Sequence, residues 1–166
     1  MVEFKAWPKI TRYENKRSPI FTEKIDGTNA CIVISFTDPD KDTIASNLTE
    51  VGMVSMWAQS RTRLITPEND NFGFVRWAVN NATELFKMCE GYHFGEWWGL
   101  GIQRGYDVPD KRFSLFNTRR WGPHNPNTPN VCGVVPTLPV SSVDEVRDFL
   151  VSQGSLASPG YRRPEG

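Results

Sequence analysis

The pattern of hydrophobic and polar positions predicts several short strands and two helices. Strand-like runs, rich in β-branched and aromatic residues, occupy 19–25, 30–36, 51–59, 92–97, 112–116 and 133–138. Asp26-Gly27 separates the first two runs and is typical of a β-hairpin turn. The polar, proline-containing segments 38–42 and 122–130 are predicted to form a turn and a loop.

Two segments have helical character. Apolar residues recur at helical spacing through 72–89, and Asn69 or Asp70 can cap the start of this helix. A second helix begins at the capping box 142–145 and is expected to end at Gly154. The predicted fold class is α+β, with mostly antiparallel sheets and flanking helices in a single domain over residues 1–166.

Composition and cysteine usage narrow the protein class. The chain has 166 residues, 39% hydrophobic and 12% aromatic, which favours one globular domain over disorder. No apolar run approaches a membrane span, and residues 1–10 lack the apolar core of a signal peptide. The three cysteines form no C-x-x-C pair, which is typical of reduced thiols. We expect a cytoplasmic protein with no membrane partner.

The charge balance gives no general preference for nucleic acid. Nineteen basic and nineteen acidic residues cancel, whereas nucleic-acid binders are usually basic. Arginines cluster at 61/63, 119/120 and 162/163, and acidic residues gather at 38–42 and 144–148. This segregation permits a basic face on a neutral protein, although solvated surface charge explains it equally well.

The richest chemical signal is the segment 23–29, Glu-Lys-Ile-Asp-Gly-Thr-Asn. It can simply be a hairpin turn beside an exposed lysine. Alternatively, a lysine at a strand end can attack the α-phosphorus of a nucleotide once its amine is neutral, which neighbouring cations and partial desolvation favour. Gly27 would let the backbone approach the ligand closely.

Lys24-x-Asp26-Gly27 resembles motif I of the covalent nucleotidyltransferases, which are DNA ligases, RNA ligases and capping enzymes. The continuation Thr28-Asn29 is similar to the double-strand-sealing and RNA-editing RNA ligases, which commonly read K-x-D/H-G-T-N. DNA ligases and capping enzymes usually carry an arginine shortly after the glycine. The resemblance implies a nucleotidyltransferase (adenylation) domain in which Lys24 is the nucleophile, supported by Asp26 and Gly27.

Two further segments follow in the family's order. Ser60-Arg61-Thr62 resembles motif Ia, and the resemblance implies that Arg61 contacts nucleotide or phosphate. The segment 94–99 resembles motif III, whose glutamate, here Glu96, touches the ribose or helps to place a metal ion. The alternatives are a surface arginine and a tryptophan-rich core strand with Glu96 nearby. A carboxylate in so apolar a stretch needs a partner, which favours the functional interpretation of Glu96.

The segment 113–117 resembles motif IIIa, in which an aromatic ring stacks on adenine. Phe116 is the candidate for this ring and Phe113 the fallback, although either can belong to the core. The last residue of the segment is asparagine where the family often has aspartate. Arg119 and Arg120 follow after Thr118 and are candidates for contacts to RNA phosphates.

Glu165-Gly166 resembles the opening of motif IV. By the same resemblance, Glu23 contacts the adenine edge and Asn29 orients phosphate or substrate. Mg²⁺ is the implied cofactor, held by Glu96 and Glu165 together with water and phosphate oxygens.

The implied activity is that of an ATP-dependent RNA ligase. Lys24 attacks ATP to form lysyl-AMP, AMP passes to an RNA 5′-phosphate, and an RNA 3′-hydroxyl displaces AMP and seals the strand. The partners are therefore ATP and RNA ends that carry a 5′-phosphate and a 3′-hydroxyl.

The lysine pair of motif V is missing, because the last lysine of the sequence is Lys111. Without that cation, charge developing on the α-phosphate is less stabilised. We expect a domain truncated at motif IV, with a natural short form or one piece of a split enzyme as alternatives. A C-terminal partner or further segment would then supply motif V. A catalytically silent ATP- or RNA-binding remnant, a DNA ligase and a capping guanylyltransferase remain the rival functions.

Overall fold

The computed structural model describes residues 2–7 and 19–165, which form a mostly antiparallel sheet with few helices. Within these residues the sheet has seven strands: β1 Thr28–Ser35, β2 Ala45–Thr49, β3 Gly52–Ser60, β4 Leu64–Ile65, β5 Gly91–Gly99, β6 Lys111–Leu115 and β7 Cys132–Val134. Their order is β2-β3-β1-β5-β6-β7, and β4 pairs with β3. Every pair is antiparallel except β6 with β7. The predicted α+β class is confirmed.

Helices close one face of the sheet. Successive strand residues point to opposite faces, so Ala30, Ile32 and Ile34 of β1 share this face and are fully buried there. They belong to one apolar cluster with Phe74 and Leu85 from the helical region. This cluster is the main core of the protein.

The opposite face of the sheet, which we call the site face, carries the candidate site residues of β1 and β5. Asn29 and Cys31 of β1 lie on it, and the register pairs them with Glu96 and Phe94 of β5. Residues 2–7 run across this face and cover part of it.

Two hydrogen bonds attach residues 2–7 to β3. The Gln59 side-chain amide donates to the Lys5 carbonyl at 2.6 Å. In return, the Lys5 N–H donates to the Gln59 side-chain oxygen at 3.3 Å. The segment is therefore held by its backbone as well as by apolar packing.

The helix predicted over 72–89 is interrupted. Its parts are α1 Phe74–Asn80, α2 Ala82–Leu85 and a 3₁₀ turn at Phe86–Met88. Asn81 separates α1 from α2 because its φ of −115° departs from helical values. Its side-chain amide also donates to the Trp77 carbonyl at 2.7 Å, a local bond that competes with a continuous helix.

The predicted caps are confirmed in part. The Asp70 carboxylate accepts the Val75 N–H at 2.8 Å and so caps the first turn of α1. The second predicted helix is α3 Val143–Gln153, where Ser142 Oγ accepts a backbone N–H of the first turn. Gly154 ends α3 with a φ of +77°, a conformation that glycine adopts without a steric penalty.

The hairpin predicted around Asp26-Gly27 is wrong. The segment 19–25 pairs with residues 136–138 through the Thr22–Thr137 bridge and two backbone hydrogen bonds, and β1 lies between β3 and β5. The Asp26 and Gly27 N–H groups donate to the side chains of other elements instead of closing a turn.

β2 and β4 were not predicted, and β7 is shorter than the predicted run 133–138. β2 is an edge strand whose central residues are exposed, so its sequence lacks an apolar face. The segment 122–130 is a loop, as predicted. In the described part of the chain, no helix is both long and apolar enough to span a bilayer.

Candidate active site

The Lys24 side chain projects into solvent because the chain around it is extended. Glu23 and Ile25, its neighbours on either side, are 2% and 5% exposed. Alternation therefore directs the Lys24 side chain, which is 67% exposed, to the opposite side. A buried residue on each side fixes the backbone that carries the amine.

Lys24 Nζ forms an ion pair with Glu165 Oε1. These residues are 141 positions apart, and nothing in the local sequence of either one predicts the contact. The fold thus brings together Lys24, near the start of the sequence, and Glu165, near its end.

The turn after Lys24 is tied to two other elements. The Asp26 N–H donates to the Tyr106 hydroxyl at 2.8 Å, and the Gly27 N–H donates to Glu96 Oε1 at 3.1 Å. The Asp26 carboxylate accepts a hydrogen bond from Arg104 Nε at 2.8 Å. Lys24 is therefore followed closely by two anchored residues, and the second of them, Gly27, is hydrogen-bonded to Glu96.

Position 27 has no room for a side chain, so only glycine fits there. A Cβ built there would lie 2.4 Å from the Trp97 carbonyl oxygen and 2.7 Å from Trp98 Cβ. The predicted close approach at this glycine is thus an approach to β5. Any side chain would push the turn away from Glu96.

Glu96 lies on the site face, directly opposite Asn29 in the β1–β5 register. Burial raises the pKa of the Glu96 carboxyl from 4.5 to about 7. The Gly27 N–H and the Lys24 charge oppose this rise, whereas the charges of Glu165 and Asp26 add to it. Near neutral pH the group can therefore either hold or release a proton.

Asn29 presents an acceptor toward the same site. Its Oδ1 is buried and has no hydrogen-bond partner among the described residues. A buried amide oxygen without a partner is costly, so a ligand or solvent donor at this position would be stabilising. The predicted role of Asn29 in orienting a substrate remains a prediction.

Phe116 follows β6 and reaches the site face, where it is covered by Trp7. The two ring centroids are 4.9 Å apart with planes at 48°, and Trp7 makes a similar contact with Phe94. Phe113 points to the other face, is fully buried and packs against Phe74. Phe113 is therefore core, and Phe116 is the ring available to a ligand.

The Glu23 carboxylate is occupied by the chain itself. It accepts the Ser155 hydroxyl at 2.6 Å and the N–H groups of Leu156 and Ala157 at 2.8 and 2.9 Å. Glu23 thus anchors the loop after α3 to the strand-like segment that carries Lys24. The contact with an adenine edge that the resemblance implies for Glu23 stays a prediction.

Three predicted arginines occupy different regions of the surface. Arg61 is exposed and follows Ser60, which lies opposite Ala30, so it belongs to the same end of the sheet as Asn29. Arg119 and Arg120 are exposed, and Arg120 lies beside Gly91 at the start of β5, a residue about 16 Å along the strand from Glu96 at ~3.3 Å per residue. Only an extended ligand could contact both regions.

Arg120 also has a structural role. Its guanidinium donates to the Met88 carbonyl at 3.1 Å and lies 4.6 Å from the centroid of the Trp121 ring. This arrangement leaves Arg119 as the better candidate of the two for phosphate contacts.

The carboxylates around Lys24 fit a hydrated Mg²⁺ ion. Glu96 and Glu165 are close enough for the charge of one to raise the pKa of the other. Within residues 2–7 and 19–165, no group of three or more His, Cys, Asp or Glu side chains is placed to hold a metal ion. Mg²⁺ commonly binds through one or two carboxylates plus water and substrate phosphates, and the two glutamates meet that requirement.

Sequence reasoning missed the contacts made by the residues of the loop 100–108. It assigned no role to Arg104 or Tyr106, both of which bond to Asp26. Gln103, Tyr106 and Asp107 have φ between 46° and 54°, a left-handed conformation that is rare outside glycine. Only the glycines of this segment signalled an irregular loop.

A groove of about 330 Å³ adjoins the site on the β6–β7 side. Its lining includes Trp98, Arg112, Ser114, Leu156 and Ala157. Trp98 lies two residues after Glu96 on β5, and Ser114 lies opposite Glu96 in the β5–β6 register, so the groove begins next to the site. It offers an arginine and an aromatic surface to a ligand that extends past Glu96.

No family model, no curated protein and no solved structure matches this chain.

Proposed function

We propose that this chain carries the adenylate-accepting site of an ATP-dependent RNA ligase, in a domain of the nucleotidyltransferase type, with Lys24 as the nucleophile. The observation that carries the proposal is the meeting of Lys24 with Glu165 across 141 positions, beside Glu96. These residues belong to three separate segments that resemble motifs I, IV and III. Their convergence is what a shared active site requires.

In the proposed reaction the Lys24 amine attacks the α-phosphorus of ATP, a nitrogen–phosphorus bond forms and pyrophosphate leaves. The ammonium must lose a proton first, and Glu165, its ion-pair partner, is positioned to receive it. AMP then passes to an RNA 5′-phosphate, and a 3′-hydroxyl displaces AMP to join the strands. Mg²⁺, held by Glu96 and Glu165, would neutralise phosphate charge.

The choice of RNA rests on Thr28-Asn29, which resembles RNA ligases more than DNA ligases or capping enzymes. Exposed Arg119, beyond the site face, is the proposed phosphate contact for an RNA strand. The free thiols of the three cysteines fit the reducing, cytoplasmic setting predicted from the sequence.

The test is intact-protein mass spectrometry of the chain after incubation with ATP and Mg²⁺. We expect one adenylate on the parent and none on Lys24→Ala. Lys41→Ala, which removes an exposed lysine from the turn 38–42, is the matched control and should label like the parent. Labelling of Lys24→Ala at the parental level would overturn the assignment of the nucleophile.

The same assay separates the rival functions. GTP in place of ATP tests for a capping enzyme, and nicked DNA in place of nicked RNA tests for a DNA ligase. Tight ATP binding without an adduct on the parent chain would contradict its activity and favour a nucleotide-binding protein.

A further inference from the structure

Three distant segments meet at one guanidinium group. Arg104 Nε donates to Asp26 Oδ2 at 2.8 Å, and Arg104 Nη1 donates to the carbonyls of Arg163 and Pro164 at 2.9 and 3.4 Å. Asp26 lies two residues after Lys24, and Pro164 immediately precedes Glu165. Arg104 thereby connects the turn that carries the amine to the segment that carries its carboxylate partner.

We infer that Arg104 is a positioning residue that sets the approach of Glu165 to Lys24. Its catalytic consequence rests on the proposed function, but its structural consequence does not. Arg104 touches neither member of the ion pair and acts through Asp26 and through the backbone before Glu165.

The segment before Glu165 needs such a support. Tyr161 is its last buried residue, whereas Arg162 and Arg163 are exposed, so packing does not fix its end. Beyond Tyr161 the contacts of the described chain include a bond from Arg162 to the Ser152 carbonyl at 3.0 Å and an interaction of the Tyr106 hydroxyl with the Glu165 backbone. The Arg104 bonds and the ion pair itself are the contacts that tie this segment to the charged side chains of Asp26 and Lys24. A flexible segment held by the ion pair alone would lose much of the pair's stability to conformational entropy.

The loop that carries Arg104 is fixed on both sides. Ile102 and Tyr106 are fully buried, and the Tyr106 ring packs 4.7 Å from that of Tyr161. The Ser158 hydroxyl donates to the Tyr106 carbonyl at 2.8 Å. The left-handed conformations in this loop are held by these contacts, so the guanidinium has a rigid base.

The charges around Lys24 also require a second cation. Asp26 and Glu165 lie near enough to Glu96 for their negative charges to raise its pKa. Arg104 neutralises Asp26, and Lys24 pairs with Glu165. Removal of Arg104 leaves one lysine among these carboxylates, and their repulsion would displace Glu165, which lies on the least packed segment.

The planar fork of arginine suits this task better than a lysine. One nitrogen bonds to the carboxylate while another bonds to the carbonyls, a geometry that a single ammonium cannot reproduce. Arg104→Lys should therefore keep the charge next to Asp26 but lose the link to Pro164.

Zero-length carbodiimide cross-linking measures the ion pair without requiring activity. The carbodiimide activates the Glu165 carboxylate, the Lys24 amine displaces the resulting urea, and an amide forms that mass spectrometry can locate. The Lys87–Glu84 pair, with a separation of 2.6 Å, is an internal reference in the same sample. The parent should yield the Lys24–Glu165 amide.

Arg104→Ala should lower the yield of this amide about tenfold relative to the Lys87–Glu84 reference, with an intermediate yield for Arg104→Lys. Arg76→Ala removes an exposed arginine of α1 and should match the parent. If Arg104→Ala does not fold by circular dichroism, Arg104→Lys and Asp26→Asn carry the test. Parental yield in the folded Arg104 variants would overturn the inference.

Adenylation measured on the same proteins separates this inference from the proposed function. The rate at saturating ATP should fall in parallel with the cross-link, while the KM for ATP changes less. A cross-link that depends on Arg104 in a parent that never forms lysyl-AMP would retain the positioning role and overturn the ligase proposal. Parental adenylation in Arg104→Ala would overturn the catalytic consequence of the positioning role and leave the ligase proposal intact.

Discussion

Asn29 and Glu96 face each other across β1 and β5 at the centre of the candidate site. Side chains at directly opposed positions are within contact range. Glu96 accepts the Gly27 N–H, while Asn29 Oδ1 is buried without a partner among the described residues. A protonated Glu96 would therefore have an acceptor for its O–H next to it, and a bond from the neutral acid would act in the same direction as burial, which raises the pKa of Glu96.

The first prediction concerns the pH dependence of stability. The pKa of Glu96 is about 7 in the folded protein, whereas the ordinary value for a glutamate is 4.5. Between these values the folded state binds more proton than the unfolded state, so the Glu96 contribution to stability falls as pH rises through this window. Glu96→Gln removes this loss. As the pH rises from about 5 to about 8, the free energy of unfolding of Glu96→Gln should therefore gain on the order of 1–3 kcal/mol relative to that of the parent.

Urea denaturation of parent and variant at both pH values measures this difference. His93, on the same strand, has its pKa lowered by burial to about 4, and its contribution rises with pH over an overlapping window. The difference between variant and parent is therefore needed to isolate Glu96. Glu50→Gln, in the exposed β2–β3 turn, is the control. Parallel pH profiles for Glu96→Gln and the parent would contradict the pKa assignment.

The second prediction tests the role of Glu23. Removal of its carboxylate in Glu23→Ala leaves three donors of the loop 155–157 without their acceptor in a buried place. We expect the free energy of unfolding to fall by about 2–4 kcal/mol. Chemical denaturation measures the loss, and Glu23→Gln, which retains one acceptor oxygen, should lose less.

Glu50→Ala is the control for Glu23, because it removes an exposed glutamate. A Glu23→Ala protein of parental stability with weakened ATP binding would favour the adenine contact implied by the sequence resemblance. Loss of stability with little change in ATP affinity of the folded fraction would favour the anchoring role.

The sequence predicted the elements that carry their own pattern. The β3 and β5 runs are strongly apolar or aromatic, and α3 has both its capping serine and its terminal glycine. The edge strand β2 has no apolar face, so it could not be recognised. The continuous helix was interrupted because Asn81 bonds locally, an effect that apolar spacing does not reveal.

The Asp26-Gly27 pair shows why local turn signals fail at a site. Asp-Gly favours a two-residue hairpin, but both amides have side-chain acceptors on Tyr106 and Glu96. Motif resemblance brought Lys24, Glu96 and Glu165 forward as candidates. It assigned no role to Arg104 or Trp7, because their contacts depend on how distant segments pack.

The last prediction concerns the cover over Phe116. Trp7 lies 4.9 Å from Phe116, centroid to centroid, while Ile25 and its apolar neighbours pack against Phe116 from within the protein. A base that stacks on Phe116 must therefore separate it from Trp7. Aromatic pairs contribute about 0.5–1.5 kcal/mol beyond burial, so Trp7→Ala should tighten nucleotide binding by up to about tenfold.

Titration calorimetry with α,β-methylene ATP, which cannot release pyrophosphate, measures this affinity without the reaction. Phe4→Ala removes a partly exposed ring from the same segment and should leave the affinity unchanged. Phe116→Ala should weaken binding, because the stacking surface is lost. Weaker binding by Trp7→Ala would mean that Trp7 holds the base instead of competing with it. Parental affinity in Phe116→Ala would remove Phe116 from the base site altogether, and the groove beside Trp98 and Arg112 would become the next surface to test.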